Sequence, residues 1–168
     1  SKDVQLTSEQ SRAIQSVINT EKRVTLLFGV TGSGKTEVYL RLINETLKKG
    51  RTAIMLVPEI ALTPQMLGQL RARFEGSVSI LHSGLSAGER YDEWLKLKTG
   101  ESKIAIGARS AIFAPLENVG IIIVDEEHDS SYDAETSPRY KTVEIAIKRA
   151  AETGAKVVLG SATPSIES

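Results

Sequence analysis

The sequence predicts an α/β domain, a mostly parallel sheet with helices on both faces, and three features of the chain carry that prediction. Short apolar runs alternate with stretches of helical periodicity through all 168 residues, the pattern of repeated strand-helix-strand units. One apolar run leads directly into a glycine-rich turn that ends in Lys35 and Thr36. A second, at 121–124, leads into the acids Asp125, Glu126 and Glu127. In open parallel sheets ligands collect beyond the carboxyl ends of the strands, so both turns lie where chemistry is expected.

The strand-like runs are 24–28, 53–57, 78–81, 104–106, 121–124 and 157–159, and the helical stretches are 8–19, 35–49, 64–74, 87–97 and 142–153. Residue choices at the helix ends agree with these limits. Thr63 ahead of Pro64 is a capping hydroxyl followed by a first-turn proline. Ser86 with Glu89 makes a capping box, and Lys48 and Lys49 ahead of Gly50 suit a helix C-terminus.

Composition bounds the function more than it defines it. At roughly 150 residues per domain the chain suits one domain, 1–168. Lys plus Arg and Asp plus Glu balance at 21 each, so any contact with nucleic acid has to come from local patches. Cysteine is absent, which excludes disulfides and cysteine-based zinc sites and fits a reducing compartment. No apolar run approaches the ~20 residues that cross a bilayer, and the expectation is a soluble cytoplasmic chain with no membrane partner.

The stretch Gly29, Val30, Thr31, Gly32, Ser33, Gly34, Lys35, Thr36 has the spacing of a phosphate loop between a strand and a helix. Glycines let the backbone amides turn inward, the helix adds its positive N-terminal end, and Lys35 brings a charge to the outer phosphates. Thr36 is placed to offer a hydroxyl to Mg²⁺. A flexible glycine turn is the plain alternative, but strand, spacing, Lys and Thr together favour a nucleoside triphosphate. The acids after 121–124 supply what such a site needs opposite its loop: Asp125 to hold the metal, Glu126 to polarise the attacking water. A solvated acidic turn is the alternative there. His128 stands among acids, but the other histidine is His82 and no zinc-binding H-E-x-x-H spacing exists.

Taken together with Gly160, Ser161, Ala162, Thr163 and Pro164, these two elements resemble superfamily 2 helicases and translocases, whose first RecA-like lobe carries a phosphate loop, a DExH box and a Ser-Ala-Thr motif. Further stretches, LVPEIALTPQ, LHSGLSAGER, GARSAIFAPL, VDEEHDSSY and LGSATPSIES, occur in the order found in the primosomal branch of that superfamily, the helicases that restart stalled replication forks. The resemblance implies a RecA-like lobe that binds ATP and Mg²⁺, with hydrolysis coupled to 3'-5' movement on DNA in the full-length protein. DNA, forked or single-stranded, other primosome proteins and single-strand-binding protein are the implied partners. A RecG-like translocase, or a nucleotide-binding module without turnover, is the rival. A phosphate-loop kinase would show a lid helix with several arginines, and a GTPase an Asn-Lys-x-Asp; neither is visible.

The resemblance also implies roles for single residues. Gln10 would read the adenine edge, a task for an amide that is both donor and acceptor, although the residues alone favour an exposed polar residue at a helix start. Pro58, Glu59, Thr63, Gln65, Arg109 and Ser110 would line the single-strand path. Ser161 and Thr163 would couple hydrolysis to movement, close to His128, just after a strand that ends at Gly160 and in such lobes lies between the phosphate-loop strand and the acid-ended strand. After VDEEHDSSY the branch usually continues through an aromatic-rich loop to Tyr-His-Ala-Arg, whereas here 133–143 read DAETSPRYKTV. Tyr132 and Tyr140 remain as base-stacking faces. The second lobe with its arginine fingers, the zinc module and the N-terminal DNA-binding domain are not in this sequence, so the isolated chain is expected to bind nucleotide with little turnover.

Overall fold

Residues 5–27, 30, 34–126 and 138–161 are described in this computed structural model, with the side chains of Glu126, Pro138, Arg139 and Ser161 outside the description. Along the chain run α1 (Ser8–Asn19), β1 (Val24–Leu27), α2 (Gly34–Lys48), β2 (Thr52–Leu56), α3 (Pro64–Phe74), β3 (Val78–Leu81), α4 (Ala87–Thr99), β4 (Ile104–Gly107), β5 (Val119–Glu126), α5 (Pro138–Thr153) and β6 (Lys156–Ser161). Short 3-10 turns follow β2, at Glu59–Ala61, and β4, at Arg109–Phe113. The strands form one sheet in the order β1-β6-β5-β2-β4-β3, and every neighbouring pair is parallel. β6 thus lies between the phosphate-loop strand and the acid-ended strand, as expected.

Alternation along the central strands divides the core in two. Ala53 and Met55 of β2 and Ile121 and Ile123 of β5 pack with Val38, Leu42 and Ile43 of α2, Ile14 of α1 and Leu70 of α3. Ile54 and Leu56 with Ile122 and Val124 face the other way, onto Leu97 of α4 and Ala146 and Ala150 of α5. Strands covered on both faces read as continuous apolar runs, which is why β2 is buried at every position.

Most helix ends follow the expected chemistry. The hydroxyl of Thr63 accepts from Met66 N at 3.2 Å ahead of Pro64, and Ser86 and Glu89 close their capping box at 3.1 and 2.8 Å. Two limits differ from expectation by more than one residue. α4 continues to Thr99 because Gly100, at φ 86°, supplies the left-handed residue that ends it. α5 begins at Pro138 rather than at 142, since a proline at the first helical position loses no hydrogen bond and already has helical φ. Among the described residues no helix is long and apolar enough to cross a membrane.

Candidate active site

The site is assembled where β5, β6 and the start of α2 meet. Lys35, second residue of α2, is 4% exposed, and its Nζ lies 3.4 Å from Asp125 Oδ1 on β5. Neither charge is left to bear the cost of burial alone, which removal of one partner would impose on the other. Asp125 has the parity of Ile121 and Ile123 along β5, so it stands on the face covered by α2. Tyr39 of α2, one turn beyond Lys35, donates its hydroxyl to the same Asp125 Oδ1 at 2.7 Å.

Beside this trio opens a cavity of about 310 Å³. Lys35, Thr36, Tyr39 and Asp125 make its polar wall, and Met55, Leu62 and Met66 are among the apolar residues opposite. A hydroxyl and a carboxylate on one wall are hard oxygen donors of the kind magnesium takes, and a buried ammonium next to them suits a phosphate. The residues present therefore fit a magnesium-nucleotide group.

Gln10 is used differently from a free reader. Its amide oxygen accepts from Thr7 N at 2.8 Å, in a capping box that opens α1, and its Nε2 donates to Gly34 O at 3.1 Å. It ties α1 to the first residue of the phosphate-loop helix and is not among the residues lining the cavity. Gly34 is hemmed in as a result: a Cβ there would lie 3.0 Å from Val30 Cγ1 and 3.4 Å from Gln10 Nε2.

The expected DNA contacts fall into two neighbouring groups. Pro58, Glu59, Thr63 and Gln65 follow β2, Arg109 and Ser110 follow β4, and β2 and β4 are adjacent strands. All except half-buried Pro58 are exposed. Tyr140 is 44% exposed in the first turn of α5, on a helix and not in a loop. Gly29, Thr31, Gly32, Ser33, His128, Tyr132 and Thr163 lie outside the described residues, and Glu126 and Ser161 are described in backbone alone, at the ends of β5 and β6. Tyr39 and Gly160 were not foreseen as a pair; the local signal was a tyrosine four residues after Lys35 on an otherwise aliphatic buried face.

Comparison with known proteins bears on this arrangement. The model of the DEAD/DEAH box helicases matches residues 7–168. The chain is 56% identical over 167 residues to the replication restart protein PriA of Bacillus subtilis, across 97% of this chain and 21% of that protein. To the PriA of Synechocystis it is 50% identical, across 98% of this chain and 20% of the relative. The chain therefore spans about a fifth of the length of these relatives. Solved structures share the fold: RecG bound to a three-way DNA junction, with a TM-score of 0.64, 22% identity and 97% of this chain and 22% of that one covered; and T4 UvsW, at 0.66, 18%, 95% and 30%.

Proposed function

The chain belongs to the DEAD/DEAH box helicase family, and from that premise we propose that it is the first, ATP-binding lobe of a DNA helicase that restarts stalled replication forks. The observation that carries this is the pairing of buried Lys35 with Asp125 beside a cavity that Thr36 also lines. Lys35 would take the outer phosphates, and Thr36 and Asp125 would hold magnesium, which when bound neutralises charge on the phosphate oxygens. Glu126, next to Asp125 on β5, is assigned as the base that orients water. Gly29, Thr31, Gly32, Ser33 and Gly34 are assigned to the phosphates by their spacing. Gln10 keeps one N–H and one lone pair beyond its bonds to Thr7 and Gly34, enough for an adenine edge.

Unwinding, movement on DNA and restart are proposed for the whole protein to which such a lobe contributes, along with DNA, primosome proteins and single-strand-binding protein as partners and the cytoplasm as its place. The 56% identity to a restart protein favours this over a RecG-like translocase, which shares the fold at 22%. Calorimetry with Mg-ADP tests the nucleotide assignment: binding by the wild-type chain and its loss in Lys35→Ala are expected. Equal affinity of the two proteins overturns it. In a chain extended to the length of the relatives, Glu126→Gln should keep nucleotide and lose turnover, and normal turnover removes Glu126 from its role.

A further inference from the structure

Every hydrogen bond and ion pair to Asp125 among the described residues falls on one oxygen, Oδ1. The shorter of them comes from a residue outside the phosphate loop and the acidic motif. Tyr39 is 2% exposed, and its hydroxyl reaches Oδ1 at 2.7 Å, whereas Lys35 Nζ stands at 3.4 Å. For packing alone a phenylalanine would serve equally well at this aliphatic face; the hydroxyl is what demands a polar partner. The opposite side of the contact is shaped for it. Gly160 of β6 is the register partner of Asp125. A Cβ on residue 160 would run into the Tyr39 hydroxyl, with the ring Cζ at 2.8 Å and Asp125 Oδ1 at 3.2 Å. The missing side chain on β6 is the space through which α2 reaches the carboxylate of β5.

We propose that Tyr39 is a positioning residue for Asp125. By occupying Oδ1 it holds the carboxylate in one rotation and leaves Oδ2 for the magnesium or its water, with Gly160 as the gap that admits the hydroxyl. This rests on Asp125 being the metal-side carboxylate of a nucleotide site, so the experiment separates the two ideas. The affinity of the chain for ADP is measured by calorimetry in Mg²⁺ and again in EDTA, and the ratio is the magnesium gain. Wild type must show a gain that Asp125→Asn removes. If it does not, the metal assignment falls and the role of Tyr39 falls with it.

Given that gain, Tyr39→Phe should reduce it about tenfold, the equivalent of ~1.4 kcal/mol, while affinity in EDTA changes less than about twofold. Gly160→Ala reaches the same hydroxyl from β6 and should lower the gain similarly, and the double variant should lose no more than Tyr39→Phe alone, since both remove one interaction. An undiminished gain in Tyr39→Phe overturns the proposal. So does an equal loss in Mg²⁺ and EDTA, which would make Tyr39 a packing residue. Should Tyr39→Phe fail to fold, the gain in Gly160→Ala decides in the same way.

Discussion

The polar groups around the nucleotide cavity and those on the strand ends assigned to DNA are held in opposite ways. Lys35 and Tyr39 are buried on α2 and both bond Asp125 of β5. After β2 and β4, Glu59, Thr63, Gln65, Arg109 and Ser110 stand exposed. The two most exposed large apolar side chains among the described residues, Ile60 at 84% and Phe113 at 68%, sit in the same two 3-10 turns. A buried polar group has to be partnered by the fold itself, so a change there disturbs folding and binding together. An exposed one contributes little to folding, and a change there separates the two.

The largest effect that tests this contrast is on the enclosed side. Lys35→Ala should weaken Mg-nucleotide binding by ~1.5 to 3 kcal/mol, the worth of a hydrogen bond to a charged group. It should also lower the denaturation midpoint, because Asp125 would lose its charged partner. Calorimetry and urea unfolding of the same preparation check both, and a loss of binding without loss of stability breaks the contrast.

Gly160→Ala should be next. The added methyl meets the Tyr39 ring within 3 Å, and overpacking of this kind costs about 1 to 3 kcal/mol, read as a shift of the urea midpoint. A midpoint equal to wild type would show that Tyr39 can move aside freely.

A buried-edge ion pair gives a smaller effect with a pH signature. Arg73 of α3 donates to both oxygens of Glu37 on α2, at 3.1 and 2.7 Å, and Arg41 adds a bond at 2.9 Å. Arg73 first, and Arg41 after it, hold the Glu37 carboxyl below the ordinary carboxylate range against the opposing effect of burial. Because the folded value is the lower one, this stability is fully present above about pH 4.3 and is lost as pH falls through the lowered value. Glu37→Gln should cost ~1 kcal/mol at pH 7, and its urea midpoint should converge on that of wild type on acidification. A gap that persists at low pH would assign the loss to packing.

On the exposed side, Arg109→Ala should leave stability within about 0.5 kcal/mol of wild type. Single-stranded DNA affinity in a chain extended to the length of the relatives should fall, with the salt slope reduced by ~0.7 for one lost phosphate contact. Titrations of a labelled oligonucleotide at several salt concentrations measure it. A destabilised variant with unchanged DNA affinity would move Arg109 to the structural class.

Much of the scaffold was legible before the fold was known, because its signals act over a few residues. The Thr63 cap, the Ser86 and Glu89 box and the left-handed Gly50 at the end of α2 all involve partners within four positions. The early start of α5 was missed because Pro138 follows a polar stretch without apolar periodicity, and a proline there reads equally as a turn. Gln10 was legible as polar and near a helix start, but its bond to Gly34 crosses 24 residues and left no local mark.

The alternation of elements, the phosphate-loop spacing and the acids after an apolar run follow from residue order alone, since each depends on backbone preference and side-chain periodicity within one segment. Which strands become neighbours does not follow from it, because several of the apolar runs satisfy the same burial pattern. Lys35 and Tyr39 meet Asp125 across 90 and 86 residues, and Gly160 faces it only once β6 has inserted between β1 and β5. Those contacts are properties of the assembled sheet: the partners of a buried charge are chosen by what the folded chain leaves within 3 or 4 Å, and residue order holds no record of that distance.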